Sequence, residues 1–267
     1  MRYDVSTTPV VDAERVRTLF DLTDRVAIVT GGTRGIGRAI AEGFVAAGAR
    51  VVVASREPDA CATTERALVE AGGEALGVPT QLGDLDAVQA LVDRAVDRFG
   101  RLDILVNNAA TALTMPIADI TPAAWDKSYN VNLRGPVFLA NAALPHLTGS
   151  PCASILNVVS VGALSFAPGT AMYAGAKAAL LAFTRNMAAE WAPLGIRVNA
   201  LAPGAVDTDM VRNNPPEARA RMAEISLLRR IADPFEMIGP ALFLVSDAGS
   251  FVTGQLVVAD GGYVPPR

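Results

Sequence analysis

The chain has 267 residues, 51% hydrophobic and 19% charged, which suits a sizeable buried core and excludes global disorder. Its formal net charge of −4 gives it no electrostatic footprint for nucleic acid. One histidine, His146, and two cysteines, Cys61 and Cys152, are too few for a His/Cys zinc site or a disulfide framework.

Residues 1–22 read as an N-terminal extension with a short charged helix from Asp12 to Phe20. The start, Met1-Arg2-Tyr3-Asp4, has no apolar run of a secretory signal. No stretch reaches about 18 uninterrupted apolar residues, so no membrane span or membrane partner is expected, and the expected location is cytoplasmic.

From Arg25 an alternation begins. Val26–Val29 is a short apolar run that suits a strand buried on both faces. A helix pattern follows from Ile36 to Ala47, closed by Gly48. Val51–Ala54 is a second strand, and Pro58 opens a helix that ends at Gly72-Gly73. Ala75–Val78 is a third strand. Asp84 can cap a helix that runs to about Phe99 and closes at Gly100. Leu102–Val106 is a fourth strand.

The second half has longer helices. Thr121-Pro122 starts one carrying Trp125, Asn132 and Phe138. Ser154–Val159 is a strand, Ala171 to about Trp191 a helix, and Arg197–Leu201 a strand. A lid-like segment covers about 204–233, a helix Phe235–Val245, and a last strand Leu256–Val258. Strands alternating with helices predict an α/β fold: one doubly wound, mainly parallel sheet with helices on both faces, spanning 23–267 as a single domain.

Thr30-Gly31-Gly32-Thr33-Arg34-Gly35-Ile36-Gly37 lies directly between the first strand and the first helix of this alternation. Glycines there permit a tight turn and close backbone approach to a pyrophosphate, with a helix N-terminus aimed at its charge. Tyr173 and Lys177 are four apart on a predicted helix, so they share a face. An ammonium beside a phenol favours the phenolate, and such a tyrosine can exchange a proton near neutral pH. Ser160 ends a strand thirteen residues earlier, Asn132 lies in Asn130-Val131-Asn132-Leu133-Arg134, and Asn107-Asn108-Ala109 ends the fourth strand.

With these motifs in this order, the chain resembles the short-chain dehydrogenase/reductase family from about Phe20 to Gly262. The resemblance implies a seven-stranded Rossmann-type sheet, a nicotinamide cofactor and an Asn132, Ser160, Tyr173, Lys177 catalytic group. It makes Tyr173 the acid/base, Ser160 the hydrogen-bond partner of the substrate oxygen, and Lys177 the ligand of the nicotinamide ribose. Asn132, preferred to Asn130, would hold a water linking Lys177 to solvent. It sets Gly31, Thr33, Gly35, Ile36 and Gly37 on the phosphates, Asn107 and Ala109 beside the cofactor, and Asp84 and Leu85 on the adenine. Pro203, Gly204, Val206 and Thr208 complete the cofactor wall. The family's usual Asn-Asn-Ala-Gly here ends in Ala110, one methyl more. It also implies a homodimer or homotetramer.

The second strand ends Ser55-Arg56 with no acid to hold ribose hydroxyls, so Arg34, Ser55 and Arg56 are expected to favour NADP(H), with NAD(H) as the alternative. Candidate substrate walls are 111–115, 161–172 and 205–228, and the middle one, from Val161 to Pro168, is mostly apolar and uncharged, which suits an apolar or neutral carbonyl compound. Arg212, Arg219, Arg221, Arg229 and Arg230 are either solvated faces or contacts for a 3-oxoacyl thioester. NAD-dependent alcohol or sugar-alcohol oxidation and non-catalytic nucleotide sensing remain as rival readings.

Overall fold

The computed structural model describes residues 12–264. Seven parallel strands are β1 (Val26–Thr30), β2 (Arg50–Ser55), β3 (Ala75–Pro79), β4 (Ile104–Asn107), β5 (Ser154–Val158), β6 (Arg197–Pro203) and β7 (Leu256–Ala259). Their order in the sheet is β3-β2-β1-β4-β5-β6-β7. The direction of winding therefore reverses between β1 and β4, where a crevice opens beyond the carboxyl ends.

Alternation along the strands feeds two cores. Val26 and Ile28 face one side, with α4 (Leu85–Phe99), α6 (Gly135–Leu147) and α7 (Ala171–Trp191) packed over them. Ala27 and Val29 face the other, covered by α2 (Gly35–Ala46), α3 (Pro58–Glu70) and α10 (Ile238–Val245). All five residues of β1 are buried, as an apolar run in a central strand requires. The expected helices form close to their predicted bounds. Asp84 caps α4 by accepting from the Asp86 and Ala87 amides, and Gly100 ends it in the left-handed conformation.

The single helix expected from Thr121 is instead α5 (Pro122–Tyr129), a π-helical turn at Asn130–Arg134, and α6. The lid-like segment is structured too. It holds α8 (Asp209–Arg212) and α9 (Pro216–Glu224), and a bridge between Val206 and Ala232 closes its base. At the amino end, α1 (Ala13–Thr18) is exposed, but Leu22 is fully buried against the sheet. Residues 1–11 of the expected extension lie outside the described residues. Among the described residues, no helix is long and apolar enough to cross a membrane, and both cysteines are free thiols.

Candidate active site

Thr30 sits where the winding reverses and holds the two strand ends together. Its Oγ1 accepts from the Asn108 amide at 3.0 Å and the Ala109 amide at 3.1 Å, and donates to the Val106 carbonyl at 3.2 Å. Beyond it lies a cleft of about 1280 Å³. Gly31, Thr33, Arg34, Gly35, Ile36 and Gly37 form its floor.

The floor is shaped for close approach. Gly31 has φ +64°, and a Cβ there would meet Ala109 Cα at 2.9 Å. A Cβ at Gly37 would collide with the Gly31 carbonyl and the Asn108 side-chain amide. Asn108 Nδ2 donates to the Thr30 carbonyl at 2.8 Å, which fixes the loop. The N-terminus of α2 has no side-chain cap, so its first amides are left for a ligand. Uncapped amides and a glycine cradle fit a dinucleotide pyrophosphate.

At the adenosine end, Ser55, Arg56 and Ala109 line the cleft. Arg56 makes no ion pair or hydrogen bond among the described residues, whereas Arg34 pairs with Asp209 at 3.4 Å. Two expectations fail here. Asp84 and Leu85 are not on the cleft wall, and the Asp84 carboxylate is occupied as the α4 cap; Thr80, Gln81 and Leu82, which directly follow β3, stand there instead. Asn107 is also behind the wall, buried and donating to Pro136 and Asn157 oxygens, while its neighbour Asn108 lines the cleft. The adjacency of Gln81-Leu82 to the strand end was the signal available in the sequence for that correction.

At the other end, Ser160, Tyr173 and Lys177 share the cleft with Pro203, Gly204, Val206 and Thr208. Ser160 hydrogen-bonds Tyr173. Lys177 is fully buried, and its Nζ lies 5.9 Å from the Tyr173 ring centre and donates to the Val158 carbonyl at 2.7 Å. Burial lowers the Lys177 pKa from 10.5 to about 8. Lys177 is not among the groups that shift Tyr173. Burial pushes the phenol up, the Ser160 hydrogen bond only partly opposes it, and the lysine nitrogen is turned to Val158.

Asn132 stands apart from this group. It is fully buried in the π-helical turn and does not line the cleft. Its side chain accepts from the Thr111 amide at 3.0 Å and donates to the Thr111 carbonyl at 2.8 Å. It therefore tethers the loop after β4, which carries Ala110 and Thr111 on the cleft wall. Lys127, Val131, Asp260 and Tyr263 also line the cleft and were not anticipated. His146, in the last turn of α6, does not.

Beyond Ser160 the walls mix apolar side chains, among them Val161, Met210, Met222, Ile225 and Leu228, with polar ones such as Thr111, Thr114, Ser165, Asn213 and Asn214. Of the five arginines singled out between 212 and 230 only Arg230 lines the cleft, and Glu236 holds it by two bonds of 2.6 Å. Arg212 is held in the same two-point way by Asp207.

A family model described as enoyl-(acyl carrier protein) reductase matches residues 31–264. The chain is 41% identical to cis-4-hydroxycyclohexanecarboxylate dehydrogenase of Sinomonas cyclohexanicum, over 90% of this chain and 96% of that one. It is 37% identical to the 3-oxoacyl-[acyl-carrier-protein] reductase of Synechocystis sp., over 91% of this chain and 98% of that one. Among solved structures, a dehydrogenase/reductase from Sinorhizobium meliloti 1021 superposes with TM-score 0.90 at 31% identity, covering 94% of this chain and 99% of the other. A short-chain type dehydrogenase/reductase from Mycobacterium marinum gives TM-score 0.88 at 32% identity, covering 94% and 100%. Fold, cleft and relatives agree: the chain belongs to the short-chain dehydrogenase/reductase family and is an NAD(P)-dependent oxidoreductase.

Proposed function

We propose that this enzyme interconverts a ketone and its secondary alcohol, with NADP(H) as the preferred cofactor and Tyr173 as the acid/base. One observation carries this reading: Ser160, Tyr173 and Lys177 meet at one end of a cleft whose floor is a glycine loop and an uncapped helix N-terminus. The bound nicotinamide supplies or accepts the hydride.

The residues divide the remaining work. Ser160, within hydrogen-bond reach of the phenol, holds the substrate oxygen beside it. Tyr173 donates its proton to that oxygen in reduction and removes it in oxidation. Lys177, buried under the tyrosine, holds the cofactor ribose and supports charge on the phenolate once a ligand replaces Val158 as its partner. Asn132 positions the wall through Thr111.

Arg56 supports the cofactor preference. It is exposed at the adenosine end, has no partner among the described residues, and suits a 2′-phosphate. Glu57 also lines that end and is the feature that favours NAD(H) as the second reading. The apolar patch of Val161, Met210, Met222, Ile225 and Leu228, and the likeness to a dehydrogenase named for a hydroxylated cyclohexane acid, support a cyclic alcohol or ketone as substrate class. The paired states of Arg212 and Arg230 weigh against thioester phosphate contacts at those two positions. Segment 204–233 acts as the lid over the substrate.

The test follows nicotinamide oxidation with NADPH and NADH in parallel, over cyclic ketones, diketones, keto sugars and 3-oxoacyl and enoyl thioesters. Turnover of cyclic ketones with NADPH is expected. Turnover with NADH alone overturns the cofactor preference, and turnover only of thioesters overturns the substrate class.

A further inference from the structure

The glycine loop and the lid are joined by one ion pair. Arg34, the residue before α2, places Nη1 3.4 Å from Oδ2 of Asp209, the first residue of α8. The two segments also touch beside it, since a Cβ at Gly35 would lie 2.9 Å from Thr208 Cγ2. The neighbouring cations are held more firmly. Arg38 donates to Glu42 at 2.6 Å and to Thr64 at 2.9 Å. Arg212 takes Asp207 by two bonds of 2.8 and 2.9 Å. The Arg34–Asp209 contact is single, longer, and open to water, with side chains 72% and 56% exposed. Such a pair has little net worth and exchanges partners readily.

Arg34 lines the same cleft as Ser55 and Arg56. A phosphate drawn to Arg34 must compete with the Asp209 carboxylate and is repelled by it, because both are anions.

We propose that Asp209 is a specificity-determining residue for the cofactor: its carboxylate engages Arg34 from the lid and opposes the 2′-phosphate that would take the same guanidinium. The inference rests on the reading of Arg34 as a 2′-phosphate ligand. Asp209 then sets the preference for NADPH over NADH lower than the two arginines alone would give. Occupation by the phosphorylated cofactor draws Arg34 off the lid helix.

The experiment measures dissociation constants for NADPH, NADH, adenosine 2′-phosphate and adenosine 5′-phosphate. The proteins are the wild type, Asp209→Asn, Arg34→Ala and the double variant, at low ionic strength. Asp209→Asn is expected to tighten NADPH and adenosine 2′-phosphate about two- to fivefold. NADH and adenosine 5′-phosphate should bind as before, which also shows that the variant is folded. The gain should vanish in the Arg34→Ala background and shrink at high salt. Unchanged or weaker NADPH binding in Asp209→Asn overturns the proposal, as does an equal gain for NADH or a gain that survives without Arg34. Failure of the underlying reading looks different: wild-type NADPH binds no better than NADH, and Arg34→Ala alters neither.

Discussion

Tyr173 and Lys177 show what four-residue spacing reveals and what it leaves out. Their shared helical face was legible in the sequence, and the structure sets both on the cleft. Their ionisation was not, because burial is a tertiary property: it raises Tyr173 and lowers Lys177 to about 8. The lysine shift carries a stability consequence. The unfolded chain binds the Lys177 proton more tightly than the folded one, so folding gains with pH between about 8 and the ordinary value of 10.5. Below that window the charged, buried ammonium disfavours the fold; above it the penalty is gone. Lys177→Met removes the group, so its stability relative to wild type should fall by up to about 3 kcal/mol on going from pH 7 to pH 10.5, as read from urea unfolding. A pH-independent difference would contradict the buried ammonium. Arg56→Ala should weaken NADPH binding about 10- to 100-fold and leave NADH unchanged, measured by titration.

At the scale of elements, the strand and helix rhythm was readable because apolar runs, caps and closing glycines agree with one another. Asp84 was read in two ways, as the cap of α4 and, through the resemblance, as an adenine contact. The structure supports the first, with its carboxylate accepting from two amides of α4 and not on the cleft. Asp84→Ala should therefore cost about 1 kcal/mol of stability in denaturant unfolding while the cofactor dissociation constant stays unchanged. A large loss of cofactor affinity would restore the adenine contact. The π-helical turn at Asn130–Arg134 was not legible, because helical periodicity does not register one extra residue in a turn. Its use is visible only in three dimensions, where the Asn132 side chain bonds both backbone groups of Thr111. Asn132→Ala breaks both bonds. It should cost about 1–3 kcal/mol and loosen the cleft wall, seen as faster amide exchange at Thr111.

For the whole molecule, right-handed crossovers put helices on both faces of the sheet, and the place of the cleft follows from the reversal between β1 and β4. What lies across the cleft from what was not legible, because Arg34 and Asp209 are brought together only by the return of segment 204–233 over the glycine loop. The outer faces of α5, α6 and α7 present Trp125, Phe138 and Phe183, each more than two-fifths exposed. We expect these faces to join copies of the chain, with sedimentation reporting a dimer or tetramer; Phe138→Glu with Phe183→Glu should then yield smaller particles.

In the proposed reading the glycine-loop cradle and the proton-transfer group are separate parts of one cleft. The direct measurement compares turnover of a cyclic ketone and the NADPH dissociation constant in wild type and Tyr173→Phe. The account predicts a loss of about 10²- to 10⁴-fold in kcat with cofactor affinity preserved. Turnover that survives the loss of the Tyr173 hydroxyl would contradict it.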